Sequence, residues 1–267
     1  MRITTVAPSE ISKPRITGRS RKSLFLAFKA ASIVLAKIQG GVSKHVREPP
    51  QAIPLGSRGL PSVTGIDAVP PGSRINFVLQ SRYNSESEYR NLYHARDRTM
   101  GKEIYVKFTR RYSVDLHKFC VQEGLAPKLL GFQWLPGGWF GVVMEKVNVV
   151  SVKELESFSG LGSWKKTIGN LVRDFHQMDM VHGDLRFPNF IFTKDGTEDG
   201  TVKMLLVDFD WGGKAGEVYY PRGDLAVELR SPDGQDKPLD WPITKDDDNR
   251  VLAGAFEELD QLAAKKA

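Results

Sequence analysis

Residues 181–192, VHGDLRFPNFIF, constrain the fold more than any other stretch of the chain. The run before them, NLVRDFHQMDM, carries apolar residues at helical spacing, and NFIF at their end reads as a strand. His182, Asp184, Arg186 and Asn189 are thus concentrated in one loop that joins a helix to a strand. A loop that only supports a core has no use for four such groups. One that grips a metal and a phosphate needs hard oxygens, a carboxylate and a cation. Further on, the apolar run VKMLLVDFD ends in two aspartates, Asp208 and Asp210.

The surrounding pattern places this loop in an α+β chain. RINFVLQ reads as a strand and NLYHARDRTMGKEIYVKFT as a hairpin turning near Met100 and Gly101. A helix follows, with Ser113 as N-cap and Leu116, Phe119, Cys120 and Glu123 on its buried face. PKLLGFQWL and WFGVVMEKV are strands joined at Gly137 and Gly138. Helices are expected over 151–158 and 163–180, the second capped by Ser163. NFIF and VKMLLVDFD flank the polar turn TKDGTEDG. The last helix, DDDNRVLAGAFEELDQLAAKK, has acids at its start and lysines at its finish, matching the helix dipole. Strands first and helices later imply two lobes, strand-rich then helix-rich.

Charge is distributed unevenly. The net charge is +6, but residues 1–50 hold ten Lys or Arg against two Glu, which leaves −2 for the rest. The body is near neutral, so no nucleic-acid partner is expected. The single Cys120 excludes an internal disulfide and fits a reducing compartment. Within the basic tail, Leu24, Phe28, Ala31, Leu35 and Ile38 repeat at 4, 3, 4, 3 spacing, an amphipathic helix face. Lysines inside that run argue against a transmembrane segment. An organelle transit peptide and a poorly ordered or surface-packed tail both remain open, the expected location being cytoplasmic or, through the tail, an organelle. Residues 49–72 contain six of the fifteen prolines and four glycines, the composition of a linker. The expected organisation is therefore a tail over 1–48, a linker over 49–72, a strand-rich lobe over 73–147 and a helical lobe over 148–267.

HGDLRFPN followed by VDFDW resembles the catalytic loop and metal-binding motif of the protein-kinase-like superfamily. The HGD form is closest to its aminoglycoside- and choline-phosphotransferase branch, and the chain is also similar to small kinase-like proteins of fungi. YHARDRTMGKEIYVK resembles the hairpin that delivers the phosphate-binding lysine, and EGLAPKLLG and VVMEKV the segments after the first helix and entering the hinge. The similarity covers residues 74–267. It implies a two-lobed protein-kinase-like fold with a reduced C-terminal lobe, binding ATP and Mg²⁺.

Carried over residue by residue, the resemblance makes Asp184 the acceptor of the attacking hydroxyl's proton and Arg186 a contact to the transferred phosphate. Asn189 and Asp208 would hold Mg²⁺, and Lys107 the nucleotide phosphates. Glu145 and Val147 would meet the nucleotide at the hinge. The family usually pairs its lysine with a helix glutamate. Glu123, two turns after Leu116, is the expected partner of Lys107, while Asp115 complements the helix dipole. The chain also departs from the family pattern. The stretch aligned with the phosphate loop, ESEYRN at 86–91, has no glycine. Tyr105 stands where a small residue covers the adenine, Gly183 replaces an arginine that reads loop phosphorylation, and Asp210 with Trp211 replaces the DFG glycine. No APE motif follows. The implied activity is transfer of the ATP γ-phosphate to a hydroxyl acceptor by a monomer, the alternative being a kinase-like nucleotide-binding module with little or no turnover.

Overall fold

The computed structural model describes residues 63–83, 91–155, 157–194, 201–221, 225–229 and 241–266. The basic tail, most of the proline-rich linker and the aligned phosphate loop apart from Asn91 lie outside the described residues. Six antiparallel strands form the first sheet: β1 (Gly65–Asp67), β2 (Arg74–Arg82), β3 (Leu92–Asp97), β4 (Glu103–Thr109), β5 (Leu129–Leu135) and β6 (Trp139–Glu145). Their order is β1-β2-β3-β4-β6-β5. β4 shows why the sheet positions a site. Ile104, Val106 and Phe108 alternate into the core, so Tyr105 and Lys107 must face the other way.

β1 lies inside the stretch read as linker, which corrects the expected start of the folded part near Ser73. Proline and glycine density hid a strand only three residues long. Ile66 on it is fully buried, in space left by the missing side chain of Gly141, where a Cβ would collide with Ile66 Cδ1. Ala68 bridges to Gly131, and Val69 N–H donates to the Leu130 carbonyl at 2.8 Å. The two ends of the strand order therefore meet.

Helix α1 (Val114–Gln122) starts after Ser113 as expected, although the Ser113 side chain makes no cap bond. Leu116 and Cys120 are buried as expected, His117 is buried beside them, and Phe119 packs half-buried against the core. Glu123 is the C-cap and is exposed, and Gly124 follows in the left-handed region at φ +68°. The expected burial of Glu123 fails because the helix ends before that turn closes.

Beyond the sheet, β7 (Val149–Val150) is followed at 151–155 by a turn instead of the expected helix. Glu154 Oε2 accepts from Ser151 N–H at 3.0 Å and the Ser151 carbonyl from Leu155 N–H at 3.2 Å, which satisfies the segment locally. Helix α2 (Leu161–Gln177) begins before Ser163, with Gly160 as N-cap, and buries Ile168, Leu171, Val172 and Phe175 at i, i+3, i+4 and i+7. Then come β8 (Met180–Val181), β9 (Phe190–Thr193), β10 (Lys203–Leu206) and β11 (Gly213–Lys214). β9 pairs with β7 and β10, and β8 with β11. Those pairings set the 182–189 loop beside the 207–212 segment, with Val207 N–H donating to the Asn189 carbonyl at 3.0 Å.

Helix α3 (Lys245–Ala264) opens with a Thr244–Asp247 capping box and acids at 246–248. The lysines expected in its last turn fall beyond it, Lys265 being the C-cap. The α+β expectation agrees with this architecture. No helix among the described residues is long and apolar enough to cross a membrane.

Candidate active site

The face of β4 opposite the core forms one wall of a cleft of about 430 Å³. Tyr105, Lys107, Met144, Glu145 and Val147 line it from the sheet and the chain leaving β6, and Asn189, Asp208 and Asp210 line it from the loops. Sequence-expected residues from four separate stretches thus converge. Asp184 and Arg186 adjoin the cleft through Asn189, whose Nδ2 donates to the Asp184 carbonyl at 2.8 Å.

Lys107 Nζ lies 2.5 Å from Asp208 Oδ1 and 2.7 Å from Asp210 Oδ1. Burial pulls its pKa down, yet the charges of Asp208 and Asp210 outweigh that and the net shift is upward, so the side chain is an ammonium. Asp210 is pushed up to about 6, first by burial and also by Asp208, against the pull of Lys107. Asp208 has φ +71°, a left-handed conformation that costs a non-glycine residue about 1–3 kcal/mol. That strain is held at the residue whose carboxylate faces Lys107.

Arg186 grips Asp184 with two bonds, Nε to Oδ1 at 2.6 Å and a terminal nitrogen to Oδ2 at 3.0 Å. The bonds to Asp184 are the main reason the Arg186 pKa is raised. A bidentate pair two residues apart fixes both side chains. The loop is fixed in turn by Asp248 of α3, buried at 1% exposure. Its Oδ2 accepts from His182 N–H at 2.7 Å and its Oδ1 from Gly183 N–H at 2.8 Å, and His176 Nε2 lies 3.2 Å away. Three acids in a row read as dipole complement. The signal that singles out Asp248 is its place on the stripe of Val251, Leu252, Ala255 and Leu259.

His182 is fully buried, with Nε2 3.2 Å from the Val207 carbonyl, and burial lowers its pKa. It packs edge-on to Phe209, which also stacks on His117 with ring centroids 4.5 Å apart. His117 Nε2 lies 2.8 Å from the Pro127 carbonyl and Nδ1 lies 2.7 Å from the Tyr112 hydroxyl. The carbonyl can only accept, so the proton sits on Nε2 and Nδ1 accepts from Tyr112. Burial chiefly, and Lys107 in addition, push His117 down to about 4.

One expected cofactor contact needs correction. Glu123 is exposed and does not meet Lys107, whose ion-pair partners among the described residues are Asp208 and Asp210. Glu145 lines the cleft as expected, and its Oε1 accepts from Lys128 N–H at 2.7 Å. Val147 is buried at the cleft wall. For a divalent cation the donors this cleft could offer would be the Asp208 carboxylate and the Asn189 amide oxygen, whose Nδ2 is committed to the Asp184 carbonyl. These are hard oxygen donors, the kind Mg²⁺ takes, and too few to enclose it, which suits a cation shared with phosphate.

The sequence model of the lipopolysaccharide kinase (Kdo/WaaP) family matches residues 162–218, the span holding α2, the 182–189 loop and Asp208. Among curated proteins none matches the chain significantly by sequence. Among solved structures that match is the Cydia pomonella granulovirus kinase PK-1, with TM-score 0.52 and 13% identity over 68% of this chain and 69% of that one. The chain therefore has an α+β, kinase-like fold.

Proposed function

We propose that the protein is a phosphotransferase that moves the γ-phosphoryl group of Mg²⁺-bound ATP to a hydroxyl acceptor. The observation that carries this reading is the convergence of Lys107, Asn189 and Asp208 on one cleft, with Asp184 adjoining it through Asn189. Mg²⁺-ATP supplies the electrophilic phosphoryl group. Asp184 takes the proton of the acceptor hydroxyl as its oxygen bonds to phosphorus and ADP leaves. Arg186 holds both Asp184 oxygens in place and brings a positive charge to the side where the phosphoryl group is received. Lys107 neutralises the nucleotide phosphates, and Asp208 with Asn189 holds the cation. The match to a lipopolysaccharide kinase family makes sugar hydroxyls the first acceptors to assay. Residues 73–147 and 148–267 serve as the two sides of the cleft in this reading.

The test is ATP turnover by purified protein against a panel of sugar, amino-alcohol and protein hydroxyls, with Asp208→Ala as the blank. Asp184→Asn should lower turnover about 10²–10⁴-fold while nucleotide binding persists. Turnover within a few-fold of wild type would remove Asp184 from its role. A nucleotide-binding module without turnover is favoured by one feature, the glycine-free stretch 86–91. A thermal shift with Mg²⁺-ATP and no product on any acceptor would select it.

A further inference from the structure

Helix α1 presents no acid to Lys107. Its two acids, Asp115 and the C-cap Glu123, are exposed, and its buried positions are Leu116, His117 and Cys120. His117 is neutral, with both ring nitrogens committed to Tyr112 and Pro127. Lys107 nevertheless has two carboxylates on its ammonium. In the phosphotransferase reading Asp208 is the one whose oxygens the cation takes, so its hold on Lys107 is shared with that cation when the site is filled. Asp210 is held differently. Its Oδ2 accepts from Thr109 Oγ1 at 3.0 Å, while its Oδ1 meets Lys107. Thr109 lies two residues beyond Lys107 on β4, so the strand that carries the lysine also orients the acid.

We propose that Asp210 is the anchoring acid of Lys107, taking from the segment after β10 the part that a helix glutamate plays elsewhere and leaving Asp208 to the cation. The role given to Asp208 rests on the phosphotransferase reading, whereas the Lys107–Asp210 pair stands on geometry alone. Its consequence is regulatory. The lysine is anchored within its own strand and the neighbouring loop, so displacing α1 does not unpair it. A site built this way has no switch that works by swinging a helix acid in and out.

The experiment is a pair of double-mutant cycles. The first measures urea unfolding in an Asp208→Asn background and needs no nucleotide. Lys107→Met and Asp210→Asn should combine non-additively, the unfolding constant of the double variant being at least about tenfold below the product of the two single effects. Lys107→Gln replaces Lys107→Met if the latter does not fold. Additivity within about twofold overturns the pair.

The second cycle measures ATP turnover. Asp210→Asn should lower kcat/KM about 10²-fold, add less than about threefold on top of Lys107→Met, and recover in part as Asp210→Glu. Its half-saturating Mg²⁺ concentration should stay that of the wild type, whereas Asp208→Asn raises it. An equal rise for Asp210→Asn makes Asp210 a cation ligand and overturns the anchor. If the wild type turns over no ATP, the phosphotransferase reading falls and the unfolding cycle still judges the pair.

Discussion

Acidification from pH 7.5 to 5.0 should remove a definable share of stability at His117, opposite in sign to the gain from Asp210, whose carboxyl is raised in the folded state. In the folded state the ring is held at about 4 by burial, against an ordinary value of 6.5. As pH falls through 6.5 the unfolded chain binds a proton that the folded one refuses. Stability from this group is thus complete above about pH 6.5 and lost as pH drops towards 4. At pH 5.0 the unfolded imidazole is about 1.5 units below its pKa, which amounts to about 2 kcal/mol at about 1.36 kcal/mol per unit. Protonation would also force Nδ1 to donate, and the Tyr112 hydroxyl would have to reverse its bond. Urea unfolding of wild type and His117→Gln at the two pH values isolates the share, because glutamine keeps a donor and an acceptor without titrating. His182, whose pKa burial also lowers, contributes equally in both proteins. The wild type should lose about 2 kcal/mol more than the variant on acidification. Equal losses would refute the assignment of a buried, neutral His117.

Three other outcomes follow from the geometry. Asp208→Ala should abolish the Mg²⁺ dependence of the ATP-induced thermal shift, and Asn189→Ala should weaken it less, because an amide oxygen brings no formal charge to the cation. Asp248→Asn turns an NH₂ group towards a backbone donor of His182 or Gly183 and should cost about 2–3 kcal/mol in denaturant unfolding, with turnover falling as the loop loosens. Gly141→Ala should cost about 1–3 kcal/mol, measured the same way, through the clash with buried Ile66.

The elements with strong periodicity were legible. β4 and α2 announce their buried faces in the sequence, and the loop between α2 and β9 declares itself by four polar groups in eight residues, 182–189. What remained hidden depends on long-range contact. Glu123 matched the apolar stripe of α1 by spacing, but spacing does not show that the helix stops at Gln122. Asp210 was legible as a departure from the family's glycine and not as a partner of Lys107, because the two are 103 positions apart and only the fold brings them within 2.7 Å. Asp248 sat among acids whose local electrostatic role was sufficient explanation. β1 was masked by composition, since three residues are too few for a pattern of period two to emerge.

That short strand closes a sheet edge that would otherwise stand open. An open sheet ends in two rows of unpaired N–H and C=O groups, which invite another chain to add itself. Here β1 pairs with β2 and reaches β5 through the Ala68–Gly131 bridge and the Val69–Leu130 bond. One fully buried side chain, Ile66, keeps that closure in place. A version of the protein beginning at Ser73 would bare β2 and one stretch of β5 together and vacate the space beside Gly141. Self-association would then compete with folding, so the shortest self-sufficient unit starts ahead of Gly65.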